Sequence, residues 1–203
     1  MDVFFSPLAC SLASRITLYE TGQEANFQRV DTRAGKTASG EDYRKINPKG
    51  FVPALRTDDG VVLTENAAIL QYLADRKPEA GLAPGGFARY QLQQWLSFIG
   101  SELHKVVFTP LLGATYPPEA KAKAKEAAAE RLGYLNDYLT GREWLLDDFS
   151  VADAYLCAVL NWNQAVKLDF SVYPAIQAYQ QRLMQRPAVG KAVAEEFALF
   201  QPA

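Results

Sequence analysis

One histidine, His104, and two cysteines, Cys10 and Cys157, are the only imidazole and thiol groups in 203 residues. The cysteines lie far apart and form no CxxC or other ligand spacing, so no metal site is expected. They make no disulfide framework either, and reduced thiols in a cytoplasmic setting are expected. A dominant charge is also missing. Twenty-one Lys and Arg stand against 23 Asp and Glu, a formal net charge of -2, with no basic block or basic–aromatic interleaving. That excludes binding driven by phosphate neutralisation, and with it nucleic acid as a partner. No apolar run approaches the ~20 residues of a membrane span. The opening MDVFFSPLAC lacks the basic segment of a signal peptide. What remains is globular: 49% hydrophobic and 22% charged, enough for one large core or two small ones.

The first part of the chain alternates short strands and helices. DVFFS (2–6) is an apolar run stopped by Pro7, a buried strand. SLASRITLYETG spaces Leu12, Ile16 and Tyr19 on one helical face and stops at Gly22. FQRVD (27–31) alternates as a second strand, and EDYRKI (41–46) reads as a short helix ended by NPKG. VPALRT and VVLT flank Asp58-Asp59-Gly60, a hairpin signal. TENAAILQYLADRK then places Ala68, Ile69, Tyr72 and Leu73 on one helical face. The order β-α-β-α-β-β-α is a small α/β unit.

KPEAGLAPGG is a linker by composition, giving a division into residues 1–77, a linker at 78–87 and a second unit at 88–203. That second unit shows no strand and no repeat. Over 88–112, Leu92, Leu96, Ile99, Leu103 and Val106 form one buried stripe. Ala128, Leu132, Leu135 and Leu139 do the same over 118–139. Ser150 and Asp153 make a capping box in SVAD, and two more helices, 174–186 and 188–198, meet at Pro187.

Three features carry chemistry. Cys10 follows a Ser-Pro turn where a helix starts. On position alone two readings stand level: a small buried hydrophobe, or a thiolate whose pKa the helix N-terminus lowers, with the Ser11 hydroxyl beside it. Cys157, within AYLCAVL, reads as core. Pro53 in FVPA starts a strand on an edge; were Val52–Pro53 cis, the Val52 backbone would face an extended peptide-like ligand. Glu65 and Asn66 open a helix whose unpaired amides suit a carboxylate, while the Glu65 side chain suits an ammonium, together an amino-acid head. An ordinary strand-starting proline and an ordinary helix cap remain the plainer readings of the last two.

With those residues in view, SPLACSL, NPKGFVPAL, LTENAAILQYLAD and FSVADAYL, in that order over essentially the whole chain, resemble the beta-class glutathione S-transferases of bacteria. The resemblance implies a thioredoxin-like N-terminal domain, an all-α C-terminal domain and a homodimer. It also implies glutathione as co-substrate, with a small hydrophobic electrophile or a disulfide as second substrate. It assigns catalysis to Cys10, Ser11 and His104, and glutathione binding to Lys36, Val52, Pro53, Glu65, Asn66, Ser101 and Lys105. Gln93, Ser97, Gly100, Ser101 and His104 form a small, polar stripe that suits a cleft wall. Gly35 replaces a common lysine, with Lys36 next to it as a substitute, and Ser97 replaces a frequent asparagine; weaker glutathione binding is expected from both. Asn66 stands where serine or glycine is usual, and there the backbone amide does much of the work. Phe108, Tyr116, Trp162 and Phe170 suggest apolar ligands, although aromatics at helical spacing are more often core. A non-catalytic binding protein, or a glutathione-dependent isomerase or dehalogenase, stands as the alternative. Cys10, Ser11, Glu65 and His104 together argue against a bare scaffold.

Overall fold

Apolar alternation in β1 (Asp2–Phe5) sends Val3 to one face of a sheet and Phe4 to the other. β1 pairs in parallel with β2 (Asn26–Asp31) and antiparallel with β4 (Ala54–Arg56). β3 (Lys36–Thr37) and β5 (Val62–Thr64) complete a five-stranded mixed sheet in the order β3-β2-β1-β4-β5. The computed structural model describes residues 1–200; the end of the expected 88–203 unit, 201–203, lies outside the described residues. β3 was absent from the sequence reading, and the helix expected at 41–46 is a single 3-10 turn, Tyr43–Lys45. The Asp42 side chain caps that turn on the Arg44 amide, and Pro48 disfavours helical backbone at Asn47 before it.

α1 (Leu12–Thr21) and α2 (Asn66–Asp75) cover the Val3 face with Leu18, Ile69 and Leu73. The other face of α1 enters a second, larger core. There Leu12, Ala13 and Ile16 join Leu70 and Ala74 of α2 and the apolar residues of the helical part.

α3 (Gly86–Phe98) runs on as a π-helix over Ile99–Phe108 and a final α-turn, Thr109–Leu112. α4 (Pro118–Leu139), α5 (Val151–Asn161), α6 (Pro174–Gln185) and α7 (Pro187–Leu199) follow. Leu92, Leu96, Ile99 and Leu103 are buried as expected, but Val106 is exposed and Val107 takes its place. The wider π turn delays the return to the core face by one residue. α5 is buried on every side from Val151 to Leu160, as the central helix of a bundle must be. Its capping box forms: Asp153 accepts from the Ser150 amide and hydroxyl, both at 2.8 Å.

Three ion pairs tie α1 to the helical part, one of them Arg15 with Glu195 at 3.2 Å. Arg15 meets Glu196 at 2.9 Å with both side chains buried, and Arg186 forks onto Glu20 with two contacts of 2.7 Å.

Candidate active site

Between the sheet edge at β4–β5 and the π-helix lies a cleft of about 240 Å³. Cys10, Val52, Pro53, Glu65 and Asn66 line one side of it, and Gly100, His104, Lys105 and Tyr155 the other. The Val52–Pro53 peptide is cis. The Cys10 thiol donates to the Val52 carbonyl at 3.3 Å, and Asn66 Nδ2 donates to the Cys10 carbonyl at 3.0 Å. Glu65 precedes α2 with φ 72, a left-handed backbone rare for a residue with a side chain.

Of the two readings of Cys10, the electrostatics favour the buried thiol over the lowered-pKa thiolate. α1 begins at Leu12 with Ser11 as its cap, so the thiol precedes the helix. Burial pushes the Cys10 pKa up to about 12, and the nearby Lys105 ammonium offsets only part of that. Cys10 is therefore a thiol, not a thiolate, at neutral pH. His104 moves the other way: burial, with Lys105 adding to it, lowers its pKa to about 4 and keeps the ring neutral. His104 Nδ1 and the Tyr155 hydroxyl are hydrogen-bonded at 2.9 Å, and burial raises the Tyr155 pKa.

Three residues assigned by resemblance lie elsewhere. The Ser11 hydroxyl accepts from the Ser6 amide and donates to the Ser6 carbonyl, both at 3.2 Å, so it closes the Ser-Pro turn and does not face the cleft. Lys36 is on β3, at the opposite sheet edge, in a shallow groove with Arg29 and Asp31. Gly35 occupies the left-handed turn before it, φ 67. Ser101 is exposed, its hydroxyl 3.4 Å from Glu102. Of the polar stripe, only Gly100 and His104 reach the cleft; Gln93 and Ser97 are exposed.

Against known proteins, the chain matches the model of the glutathione S-transferase N-terminal domain over residues 9–76 and that of the C-terminal domain over 101–187. It is 44% identical to glutathione S-transferase GstA of Escherichia coli O157:H7, covering 97% of this chain and 98% of the relative.

The chain belongs to the glutathione S-transferase family.

A sphingomonad glutathione S-transferase solved in complex with glutathione superposes with a TM-score of 0.93 at 48% identity, over 97% of this chain and 99% of the other. A bacterial beta-class enzyme from Sphingomonas chungbukensis does so with a TM-score of 0.93 at 47% identity, over 97% and 98%. The chain is thus a bacterial-type, beta-class glutathione transferase, an enzyme with a thioredoxin-like domain followed by a helical one.

For this transferase, the sequence reading overlooked Lys49 and Tyr155 in the cleft. Lys49 sits in NPKG, which reads as a turn. Its Nζ lies 2.5 Å from Glu65 Oε1 and 2.8 Å from Thr64 Oγ1. Tyr155 sits in AYLCAVL, which reads as core; its one polar atom was the only available signal. Of the aromatics suggested as ligand wall, Phe108 and Phe170 are buried core and Tyr116 is 40% exposed. Trp162 stands edge-on to His104, ring centroids 4.7 Å apart. Among the described residues no group of three or more His, Cys, Asp or Glu could hold a metal ion. No helix among them is long and apolar enough to cross a membrane.

Proposed function

We propose that this transferase binds glutathione in the cleft, cysteinyl sulfur beside Cys10 and γ-glutamyl head at Glu65–Asn66, and passes it to or from hydrophobic electrophiles and disulfides. The observation that carries this reading is the Cys10 thiol on the Val52 carbonyl, 3.3 Å apart beside a cis proline. The same backbone presents an edge to an extended peptide. The tripeptide's cysteinyl unit pairs with Val52, its ammonium meets Glu65, and its α-carboxylate meets the first amides of α2. His104 and Lys105 approach the sulfur from the helical side.

In thiol transfer, Cys10 loses its proton and its sulfur attacks the glutathionyl sulfur of a mixed disulfide GS–SR. The S–S bond breaks, Cys10–SG forms, and RS⁻ leaves and takes up a proton. A second glutathione thiolate then attacks Cys10–SG, releasing GSSG and the Cys10 sulfur. The raised Cys10 pKa favours conjugation as the companion activity, with the Cys10 S–H donating to a bound glutathione thiolate that attacks the electrophile. The protein works as a cytoplasmic homodimer, divided at residues 78–87, in which the exposed Phe51 offers an apolar contact beside Lys105.

The test compares the protein with Cys10→Ala in glutathione-dependent reduction of 2-hydroxyethyl disulfide and in conjugation of 1-chloro-2,4-dinitrobenzene. Disulfide reduction is expected to vanish in the variant while conjugation persists at a reduced rate. Undiminished reduction in the variant would remove Cys10 as the attacking sulfur. Glutathione binding with no turnover of either substrate would leave a binding protein.

A further inference from the structure

Lys49 and Glu65 pair inside the cleft, in the place where the proposed ligand's head must enter. Lys49 Nζ contacts Glu65 Oε1 at 2.5 Å and Thr64 Oγ1 at 2.8 Å, and both charged side chains are about half exposed or more. The same wall carries two further groups. Asn66, only 7% exposed, spends its Nδ2 on the Cys10 carbonyl and leaves Oδ1 without a hydrogen-bond partner among the described residues. The first amides of α2 have no helical carbonyl to meet. One short stretch therefore holds a cation, an anion, an open acceptor and open donors. Lys36 lies on the far sheet edge, and the other lysine of the cleft, Lys105, stands across it over the Phe51 ring. Lys49 is thus the lysine in contact with Glu65.

We infer that Lys49 makes the cleft selective for a zwitterionic head, one carrying ammonium and carboxylate on the same carbon. The inference rests on the glutathione reading above and deepens it. An exposed ion pair opens at little cost. An amino-acid head inserts into it, its ammonium taking Glu65 and its carboxylate taking Lys49 together with the α2 amides. Two charges part and two new pairs form, so no charge is left alone. A head with only one of the two groups strands either Lys49 or Glu65. Lys49 is in this sense a specificity-determining residue.

The experiment measures equilibrium binding of three peptides by titration calorimetry: glutathione, its analogue lacking the α-ammonium (glutaryl-Cys-Gly) and its analogue lacking the α-carboxylate (4-aminobutanoyl-Cys-Gly). Each is titrated into the unmodified protein, Lys49→Met and Lys49→Arg. Lys49 is half exposed, so neither change disturbs the core. In the unmodified protein, loss of the α-carboxylate is expected to weaken binding about tenfold or more, the scale of one charged hydrogen bond. In Lys49→Met glutathione itself weakens by a similar factor, and removing the α-carboxylate then costs at most about twofold. Removing the ammonium still costs in full, and Lys49→Arg restores most of the affinity. An unchanged cost of carboxylate removal in Lys49→Met overturns the inference. So does tighter glutathione binding by that variant, which would make Lys49 a mere competitor for Glu65. Failure of the unmodified protein to bind glutathione at all would instead remove the underlying reading, and this inference with it.

Discussion

Glu196, near the end of α7, accepts the Leu8 amide at 2.8 Å across 188 residues of sequence. Its other oxygen takes Arg15 Nε at 2.9 Å, and the Arg15 guanidinium lies 3.7 Å from the centroid of the Phe27 ring. Leu8 has a left-handed backbone, φ 57, two residues before Cys10. The last helix therefore fixes the loop that presents the thiol.

Removing that carboxylate strips Arg15 Nε and the Leu8 amide of their acceptor and leaves the guanidinium only Glu195 and the Tyr19 hydroxyl, each at 3.2 Å. Glu196→Ala is expected to lower the unfolding free energy by about 2–3 kcal/mol, the scale of lost charged hydrogen bonds, with Glu196→Gln losing less because it keeps an acceptor. Urea denaturation followed by tryptophan fluorescence checks this. A loss below about 1 kcal/mol in Glu196→Ala would show that the pair is not structural.

Because burial raises the Cys10 pKa to about 12, the fraction of reactive thiolate is small at neutrality and grows with pH. Alkylation of Cys10 by iodoacetamide, without glutathione, is expected to speed up about tenfold per pH unit from roughly pH 6.5 to 9.5 with no plateau. Lys105→Met should slow it at every pH, since the ammonium favours the thiolate. Peptide mapping separates Cys10 from buried Cys157. A plateau near neutral pH would mean that the thiol ionises easily after all.

His104 titrates in the opposite sense. Its folded pKa, about 4, lies below the ordinary value of 6.5, so the unfolded chain takes up a proton first as pH falls. The stability it contributes is complete above pH 6.5 and is lost as pH drops through the window toward 4. Between pH 7 and 4.5 the protein is expected to lose about 2 kcal/mol more stability than His104→Gln, which has no proton to gain. Parallel denaturation curves for the two proteins across that range would contradict the buried, neutral ring.

Tyr155 supports that ring through one hydrogen bond, 2.9 Å to Nδ1. Tyr155→Phe keeps the packing and removes the partner. Conjugation kcat is expected to fall about tenfold with KM for glutathione changed less than about threefold, and the pH–rate profile should shift as His104 loses its partner. A rise confined to KM would place Tyr155 in ligand binding and not behind His104.

Local signals carried much of the fold. The apolar run of β1, the stop at Gly22 and the Asp-Gly hairpin each depend on neighbours in sequence, and each element forms where its signal lies. Asp153 shows where such signals end. Its capping of Ser150 was legible in SVAD, but its acceptance of the Tyr179 hydroxyl at 2.6 Å and the Leu145 amide at 3.0 Å comes from tertiary packing. The cleft divides in the same way. Cys10, Val52 and Glu65 were marked by residue type beside turns and helix starts, and His104 by the resemblance and the small, polar stripe on its helix. Lys49 and Tyr155 were hidden, one in a turn motif and one in an apolar run. Lys36 sits beside Gly35 in sequence, and β3 carries it to the sheet edge opposite β5.

The π-helical stretch Ile99–Phe108 bears on how this chain tolerates change in length. Gly100, His104 and Lys105 all reach the cleft from within it. Were the same residues wound at ordinary α pitch, those beyond Ile99 would advance around the axis by roughly a quarter of a turn by His104. The imidazole would then swing off the cleft, and Leu103 and Val107 would turn away from the core with it. The extra backbone taken up by each wide turn thus acts as a phase setting. Gaining or losing a single residue here would retune both which side chains meet the ligand and which, Leu103 and Val107 among them, fill the core.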